Sequence, residues 1–277
     1  MEYIIQDSTL QGIADAIREK TGGTAPIQSD AFANAISLIQ TGGGADDLAK
    51  QLIEGTVTEI NDSSVEVISD YAFYYKTNVT SVSFPNAIDI KDKAFQYCSN
   101  IATVNFPKVT KVGANAFTEC INLSELYFPE CTTIMGNAFT HCRKATKGIF
   151  PKLTTLGNVA AFASCWYLRV LDLGLCQSIR GSTCNMCYSL VAVLLRGESL
   201  CPLDDTSAFN NCYHFHGTVN ATYNPDGLKD GYIYVPRSLV ASYQAATKWS
   251  TFASQFRALE DYTVDGTITG ELDPNKI

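Results

Sequence analysis

The sequence predicts an α+β repeat solenoid, and three observations carry that expectation. A short motif, Ala-Phe-x-x-Cys, recurs at steps of about 22 residues, and a second block of alternating apolar and polar residues ending in proline travels in register with it. The cysteines, ten in 277 residues, follow the same step rather than the crowded spacing of a disulfide framework. Flanking segments with helical periodicity supply the α part, so the chain divides into 1–41, 42–52, 53–230 and 231–277.

In the first segment, Ser8-Thr-Leu-Gln11 reads as a capping box opening a helix with Leu10, Ile13, Ala14 and Ile17 on one face. A second helix starts near Ser29-Asp30 and carries Phe32, Ala35, Ile36 and Ile39. Two short amphipathic helices hold too little core to fold alone. They are expected either to dock on a partner as an attachment module or to fold onto the first coil. Thr41-Gly42-Gly43-Gly44 then reads as a hinge, and Asp46 to Glu54 as a helix sealing that coil.

The repeat proper shows Phe73, Phe95, Phe117, Phe139 and Phe162 at steps of 22, 22, 22 and 23, continuing through Cys184 and Phe209 at 22 and 25. In register run Val79 to Pro85, Ile101 to Pro107, Leu123 to Pro129 and the weaker Ala145 to Pro151. Their alternation sends Val82 and Phe84, Val104 and Phe106, and Leu126 and Phe128 to one face, and the proline ends each strand. Two further apolar columns follow, Ala87-Val109-Cys131-Leu153-Cys176 and Ile90-Val112-Ile134-Leu156-Ile179. One coil cannot bury its own apolar side; stacked coils can, because each column becomes a continuous ladder.

These residues, from about Ile53 to Cys212, resemble the BspA-type branch of leucine-rich repeats, found in bacterial surface proteins and in phage or prophage tail-region proteins. The resemblance implies ~22-residue coils closed by caps and a binding or structural role. The later coils depart from it: Leu171-Asp-Leu-Gly174 and Val193-Leu-Leu-Arg196 lack Phe-Pro, and Cys184 stands where the column has phenylalanine. Irregular curvature is expected there. Segment 13–36 resembles a short module near the starts of phage tail proteins, which implies attachment to a particle.

Past the repeats, Gly231 to Pro236 reads as a last strand, after which proline starts a helix with Leu239, Val240, Tyr243 and Ala246 on one face. Trp249, Phe252, Phe256 and Leu259 continue a second helical stripe. Tyr234-Val-Pro236 and Ala246 to Ser250 resemble the closure of the same repeat family. The tail after Tyr262 reads as polar and extended.

Composition narrows function before any motif does. A formal net charge of −8 opposes the phosphate neutralisation on which nucleic-acid binding depends. No run approaches the ~18 apolar residues of a membrane helix, and Met1 to Leu10 has no secretory signal pattern. Nucleic acid and membrane insertion are therefore not expected.

Cys98, Cys120, Cys142, Cys165, Cys187 and Cys212 hold the repeat's cysteine position, Cys131 and Cys176 the third column, and Cys184 a phenylalanine position; Cys201 alone has no place. Stacked equivalent residues have parallel Cβ vectors about 4.8 Å apart, outside the ~3.5–4.5 Å a disulfide prefers, so free thiols are expected. Cys184-x-x-Cys187 with Cys201, Cys212, His214 and His216 has the outline of a zinc site. The repeat frame already accounts for three of those cysteines, and no metal or cofactor is assigned. No nucleophile elbow, phosphate loop, dinucleotide fingerprint or His-Glu-x-x-His is present, and no catalytic residue is assigned.

What remains is surface. The outward strand positions run from Ser81 and Ser83 through Thr103, Asn105, Glu125, Tyr127, Lys147, Ile149, Val170, Asp172 and Ala192 to Leu194. Tyr127, Ile149, Val170 and Leu194 are expected to form an exposed apolar patch unless the C-terminal helices or a loop cover it. Tyr97, His141, Trp166 and Tyr167 add turn residues suited to sugar stacking or protein contact. The expectation is a non-enzymatic tail-associated protein, in the virion or in the cytoplasm before assembly, recognising a host-surface protein or glycan. Its N-terminal helices would contact a tail or particle protein, and it could form a homo-oligomer. The alternatives are a cell-surface adhesin and an intracellular protein-binding inhibitor or scaffold.

Overall fold

A computed structural model describes residues 57–157, 160–216 and 231–261 together with the backbone of 263–264 and 267–268. The helices and hinge expected within 1–54 lie outside the described residues.

Each of the first five coils contributes two short strands, and the next two contribute one each. The longer ones are β1 (Glu59–Asn61), β3 (Ser81–Ser83), β5 (Thr103–Asn105), β7 (Glu125–Tyr127), β9 (Lys147–Ile149), β11 (Val170–Asp172) and β12 (Ala192–Leu194). The shorter ones are β2 (Val67–Ile68), β4 (Asp89–Ile90), β6 (Lys111–Val112), β8 (Thr133–Ile134) and β10 (Thr155–Leu156). All pair parallel with the equivalent strand one coil away, as Val82↔Val104 and Ile90↔Val112 show. The first set divides between two sheets, β1-β3-β5 and one running β7-β9-β11-β12, which two later strands extend to six; the second set forms one five-stranded ladder. The repeat thus fixes register, because a slip of one residue would turn every inward side chain outward.

The core lies between these ladders. Val82, Phe84, Phe106, Leu126 and Phe128 are buried, and so is every member of the two further apolar columns. The Ala-Phe rings stack at 4.9, 5.1, 5.3 and 5.6 Å from Phe73 to Phe162, with planes within 9° of parallel. The Phe-Pro rings stack beside them at 6.1, 5.9 and 5.7 Å from Phe84 to Phe150. One column opens as the other closes, and the two reach nearly the same spacing by Phe150 and Phe162. Where Phe-Pro is lost, Leu173 and Leu195 continue the buried column. Gly148 takes the place of Val82, Val104 and Leu126, and Leu171 of the next coil occupies the space: a Cβ at Gly148 would lie 2.8 Å from its methyl.

The turn around each Ala-Phe-x-x-Cys is built from left-handed residues that are not glycine. Tyr71, Lys93, Asn115 and Asn137 precede the alanine and Ser182 the threonine in its place, and Tyr75, Tyr97, Glu119, His141 and Ser164 follow the phenylalanine by two and Met186 the cysteine in its place, all with φ between 56° and 64°. Such conformations are unfavourable for residues with a Cβ. Here the main chain compensates, since the N–H of most of them, Asn137 and Ser182 aside, donates to a carbonyl of the next coil, as Tyr97 N to Thr118 O (2.8 Å) and Asn115 N to Gly136 O (3.1 Å).

The C-terminal region departs from expectation in two places. β13 (Tyr232–Val235) forms as expected and joins β12 in parallel, and a 3-10 turn (Arg237–Leu239) leads into α1 (Val240–Ala245). Phe256 does not continue a helical stripe: Trp249–Gln255 is a 3-10 segment, and β14 (Phe256–Ala258) adds an edge strand to β13. Alternate residues Phe256 and Ala258 are buried, the period of a strand, which four aromatic and aliphatic residues three or four apart mask in the sequence. The tail carries a hairpin, β15 (Thr263–Val264) with β16 (Thr267–Ile268).

Candidate recognition surface

The sequence-derived candidates separate into two groups on different parts of the coil. Tyr127, Ile149 and Leu194 share one row of the longer strands with Asp172 between the last two, and Val170 lies in the next row, paired with Lys147 and Ala192. Tyr97, His141, Trp166 and Tyr167 sit on the turn.

On the sheet, only the first half of the face is open. Thr103, Asn105, Glu125, Tyr127 and Lys147 are exposed, with Tyr127 at 58% the most exposed large apolar side chain among the described residues. Ile149 and Val170 are half-buried. Leu194 corrects the expectation: it is fully buried, in an outer cluster with Ala192 and Tyr234 against which Val170, Tyr232 and Leu259 pack. The cause is the C-terminal return, which brings Leu259, in the turn after β14, over the face that the repeat alone leaves bare. Leu194 is therefore a structural residue and not a contact.

Where the face closes, it also carries a charge. The buried Asp172 carboxylate takes a forked pair of bonds from the Arg196 guanidinium, Nε at 2.8 Å and Nη2 at 2.7 Å, and accepts the Gly174 N–H at 3.0 Å. Beside it Arg257 lies over the Tyr232 ring at 4.2 Å. Full pairing is what makes a carboxylate with 1% exposure tolerable there.

On the turn, the left-handed residues and the residues after each cysteine form two adjacent rows. Tyr75 and Tyr97 stack at 4.5 Å, and Tyr74 meets both rings edge-on. Lys93 lies over Tyr71 and donates to its hydroxyl at 2.8 Å. Further along, Glu119 binds the His141 ring through Nδ1 and the Arg143 guanidinium at 3.4 Å. Arg143 lies 4.7 Å over Trp166, which meets Tyr188 at 6.2 Å, and Tyr188 stacks on Tyr213 at 4.9 Å. Rings stacked along the solenoid axis occupy each other's faces and present edges and hydroxyls outward. Sugar stacking needs a free ring face, so Tyr97 suits edge contacts and hydrogen bonding instead, while Trp166, whose indole nitrogen is buried, suits edge contacts alone. Tyr74, Tyr75, Tyr188 and Tyr213 were missed in the sequence; their signal was the period itself, since 166, 188 and 213 each follow a columnar cysteine.

The ten cysteines are free and buried. Each columnar thiol donates to the main-chain carbonyl at the phenylalanine position of the preceding coil: Cys98 to Phe73 (2.7 Å), Cys120 to Phe95 (3.1 Å), Cys142 to Phe117 (3.3 Å), Cys165 to Phe139 (3.2 Å), Cys187 to Phe162 (3.1 Å) and Cys212 to Cys184 (3.0 Å). Burial holds Cys98 up to about 12 and keeps Cys120 and Cys212 well above the ordinary thiol range. The zinc outline does not assemble: Cys184, Cys187 and Cys212 belong to the column, Cys201 lies against Cys176, and His216 Nε2 bonds Phe209 O at 3.0 Å. No group of three metal-ligating side chains converges among the described residues.

An open depression of about 330 Å³ lies beside β10, lined by Met135, Leu156, Gln177 and Arg180 among others. Arg180 is its one ionisable lining group among the described residues, and no nucleophile–base pair is present there.

Residues 66–191 match the BspA type leucine-rich repeat region family in six copies. Among solved structures, a leucine-rich repeat protein of T. pallidum is 19% identical over 62% of this chain and 82% of its own, with a TM-score of 0.50. A leucine-rich repeat protein of Bacteroides ovatus is 21% identical over 54% of this chain and 46% of its own, with a TM-score of 0.45. No curated protein matches the chain. The described coils therefore have a leucine-rich repeat fold.

Proposed function

We propose that this chain is a non-enzymatic recognition protein whose sheet face binds a protein or glycan on a bacterial surface, and that a phage or prophage tail carries it there through segment 1–41. The observation that carries this reading is the asymmetry of the strand face: Thr103 and Asn105 at the edge of one sheet and Glu125, Tyr127 and Lys147 at the adjoining edge of the next stand exposed, while the same rows are closed beyond Val170. A face fixed before binding loses little conformational freedom when a partner arrives. Tyr127, amphipathic and central among polar neighbours, has the composition of a contact anchor. The resemblance of segment 13–36 to phage tail modules supports the tail placement.

A cell-surface adhesin is the second reading, favoured by the bacterial origin of the similar solved structure. One experiment addresses both. Labelled full-length protein is mixed with intact cells, with protease- or glycosidase-treated cells, and with cytosolic extract, alongside the double variant Glu125→Ala/Tyr127→Ala. Saturable binding to intact cells, weakened at least tenfold in the variant at unchanged melting temperature, is expected. Binding confined to cytosolic protein would replace surface recognition with intracellular inhibition. Fractionating induced cultures for the chain in particles or in the cell envelope separates tail protein from adhesin.

A further inference from the structure

The ladder of shorter strands repeats one main-chain bond at every coil step until it stops. Lys91 N donates to Ile68 O (2.9 Å), Gly113 N to Ile90 O (2.7 Å), Met135 N to Val112 O (2.9 Å) and Gly157 N to Ile134 O (2.7 Å). The next member would run from Arg180 N to Leu156 O, and it is not made. The chain there turns to its other neighbour instead: Ile179 bridges Leu203, with Ile179 N to Pro202 O at 2.9 Å and Asp204 N to Ile179 O at 2.8 Å. β10 is therefore the edge of its sheet although a further coil follows. Thr155 N and Gly157 N both reach back to the preceding coil, so the alternation of a parallel strand turns the Leu156 N–H and C=O toward the gap. Neither has a main-chain partner on that side among the described residues, and the Arg180 N–H has none either. Leu156 is only 5% exposed, and main-chain groups so enclosed are normally paired.

Leu156, Ser178 and Arg180 all line the depression of about 330 Å³, a volume at the small end of ligand pockets. Met135 and Leu156 give it an apolar wall, Gln177 and Ser178 polar groups, and Arg180 a positive charge. Arg180 is held loosely, its Nε lying 3.7 Å from Asp204 Oδ2 with both side chains about half exposed, which leaves the guanidinium fork open to a second carboxylate. We propose that this opening is a second binding site, for an extended peptide that ends in a free carboxylate. The peptide adds to β10 as a strand: one of its N–H groups donates to Leu156 O and one of its carbonyls accepts the Leu156 N–H, the pairing that the next coil leaves unmade. Its terminal carboxylate accepts from the Arg180 guanidinium and N–H, and an apolar side chain lies against Met135. The site belongs to the shorter-strand ladder and shares no residue with the sheet face around Glu125 and Tyr127.

The test begins with the free full-length protein. Amide exchange at residue resolution should show Leu156 and Arg180 exchanging at least roughly tenfold faster than Met135 and Gly157. Equal protection would mean that the ladder is closed there and would overturn the proposal. Fluorescein-labelled Gly-Val-Val with a free C-terminus is then titrated by fluorescence anisotropy, beside the same peptide as its C-terminal amide. Saturable binding of the acid with a Kd below about 1 mM is expected, roughly tenfold weaker for the amide, and the acid should slow exchange at both open amides. Arg180→Gln should bring the acid down to the affinity of the amide. Glu125→Ala/Tyr127→Ala should leave both affinities unchanged, so that a failure here is separate from a failure of recognition by the sheet face. No saturable binding, equal affinity for acid and amide, or loss of binding in the sheet-face variant would each overturn the proposal. Displacement by free glucuronate as effective as by unlabelled peptide would overturn it in favour of a sugar acid. Because exchange is read on unsubstituted protein, a variant that folds poorly does not blunt the test.

Discussion

At the scale of single residues, the interior divides into positions that fill space and positions that satisfy the main chain. Phe117 touches ring neighbours on both sides at 5.1 and 5.3 Å, so Phe117→Ala opens a cavity no adjacent coil can close and should cost ~3–5 kcal/mol in denaturant unfolding. Tyr243 is different: Tyr243→Phe keeps the volume but orphans the buried Cys201 N–H, for about 1–3 kcal/mol. Its hydroxyl, pushed up to about 12 chiefly by burial, also gives a pH signature. The folded state prefers the protonated phenol, so that stabilisation is complete below pH 10 and is lost as pH rises toward 12. Cys98 and Cys131, also raised to about 12, act the same way from pH 9 upward. Denaturation midpoints should therefore fall between pH 9 and 12, less steeply in Tyr243→Phe. The columnar cysteines were legible as buried positions. Their role as donors to the preceding coil's carbonyl was not, because hydrogen bonding between coils depends on where the backbone turns.

At the scale of elements, the strands are short and their stability is borrowed from neighbours. Turn residues with positive φ illustrate this, since Asn115 and Asn137 are natural occupants but Tyr97 and His141 are held there only by bonds to the next coil. Gly113 reports how closely successive coils approach: a Cβ there would lie 2.5 Å from the Lys91 carbonyl carbon and 2.6 Å from the Asp92 nitrogen. Gly113→Ala should lower the melting temperature by several degrees because backbone, not a movable side chain, must give way. Asp172→Ala tests the closing of the sheet, where it strands Arg196 beside a buried apolar cluster; a loss of about 3–5 kcal/mol is expected in equilibrium unfolding. The alternation that defines β3, β5 and β7 could be read directly, whereas β14 could not. Three buried residues three or four apart at Trp249, Phe252 and Phe256 carry a helical signal, and only pairing to β13 decides that the last of them is in a strand.

At the scale of the whole molecule, the solenoid is a stack whose far end is sealed by packing around Trp249. That indole is fully buried between Tyr243, Phe252 and Phe256, whereas Trp166 is half-exposed on the turn under Arg143. A Trp166→Phe variant should therefore emit from the cap alone, and its fluorescence transition should precede loss of the far-ultraviolet circular dichroism signal if the cap opens before the coils. The residue period by itself determined the coils, their register, the buried columns and the sheet face, because a parallel stack repeats whatever one coil does. Which part of that face stays open was decided only in three dimensions. Leu194 reads outward like Tyr127, yet a chain segment some sixty residues later folds back and buries it, and no periodic signal records where a non-repeating segment will land.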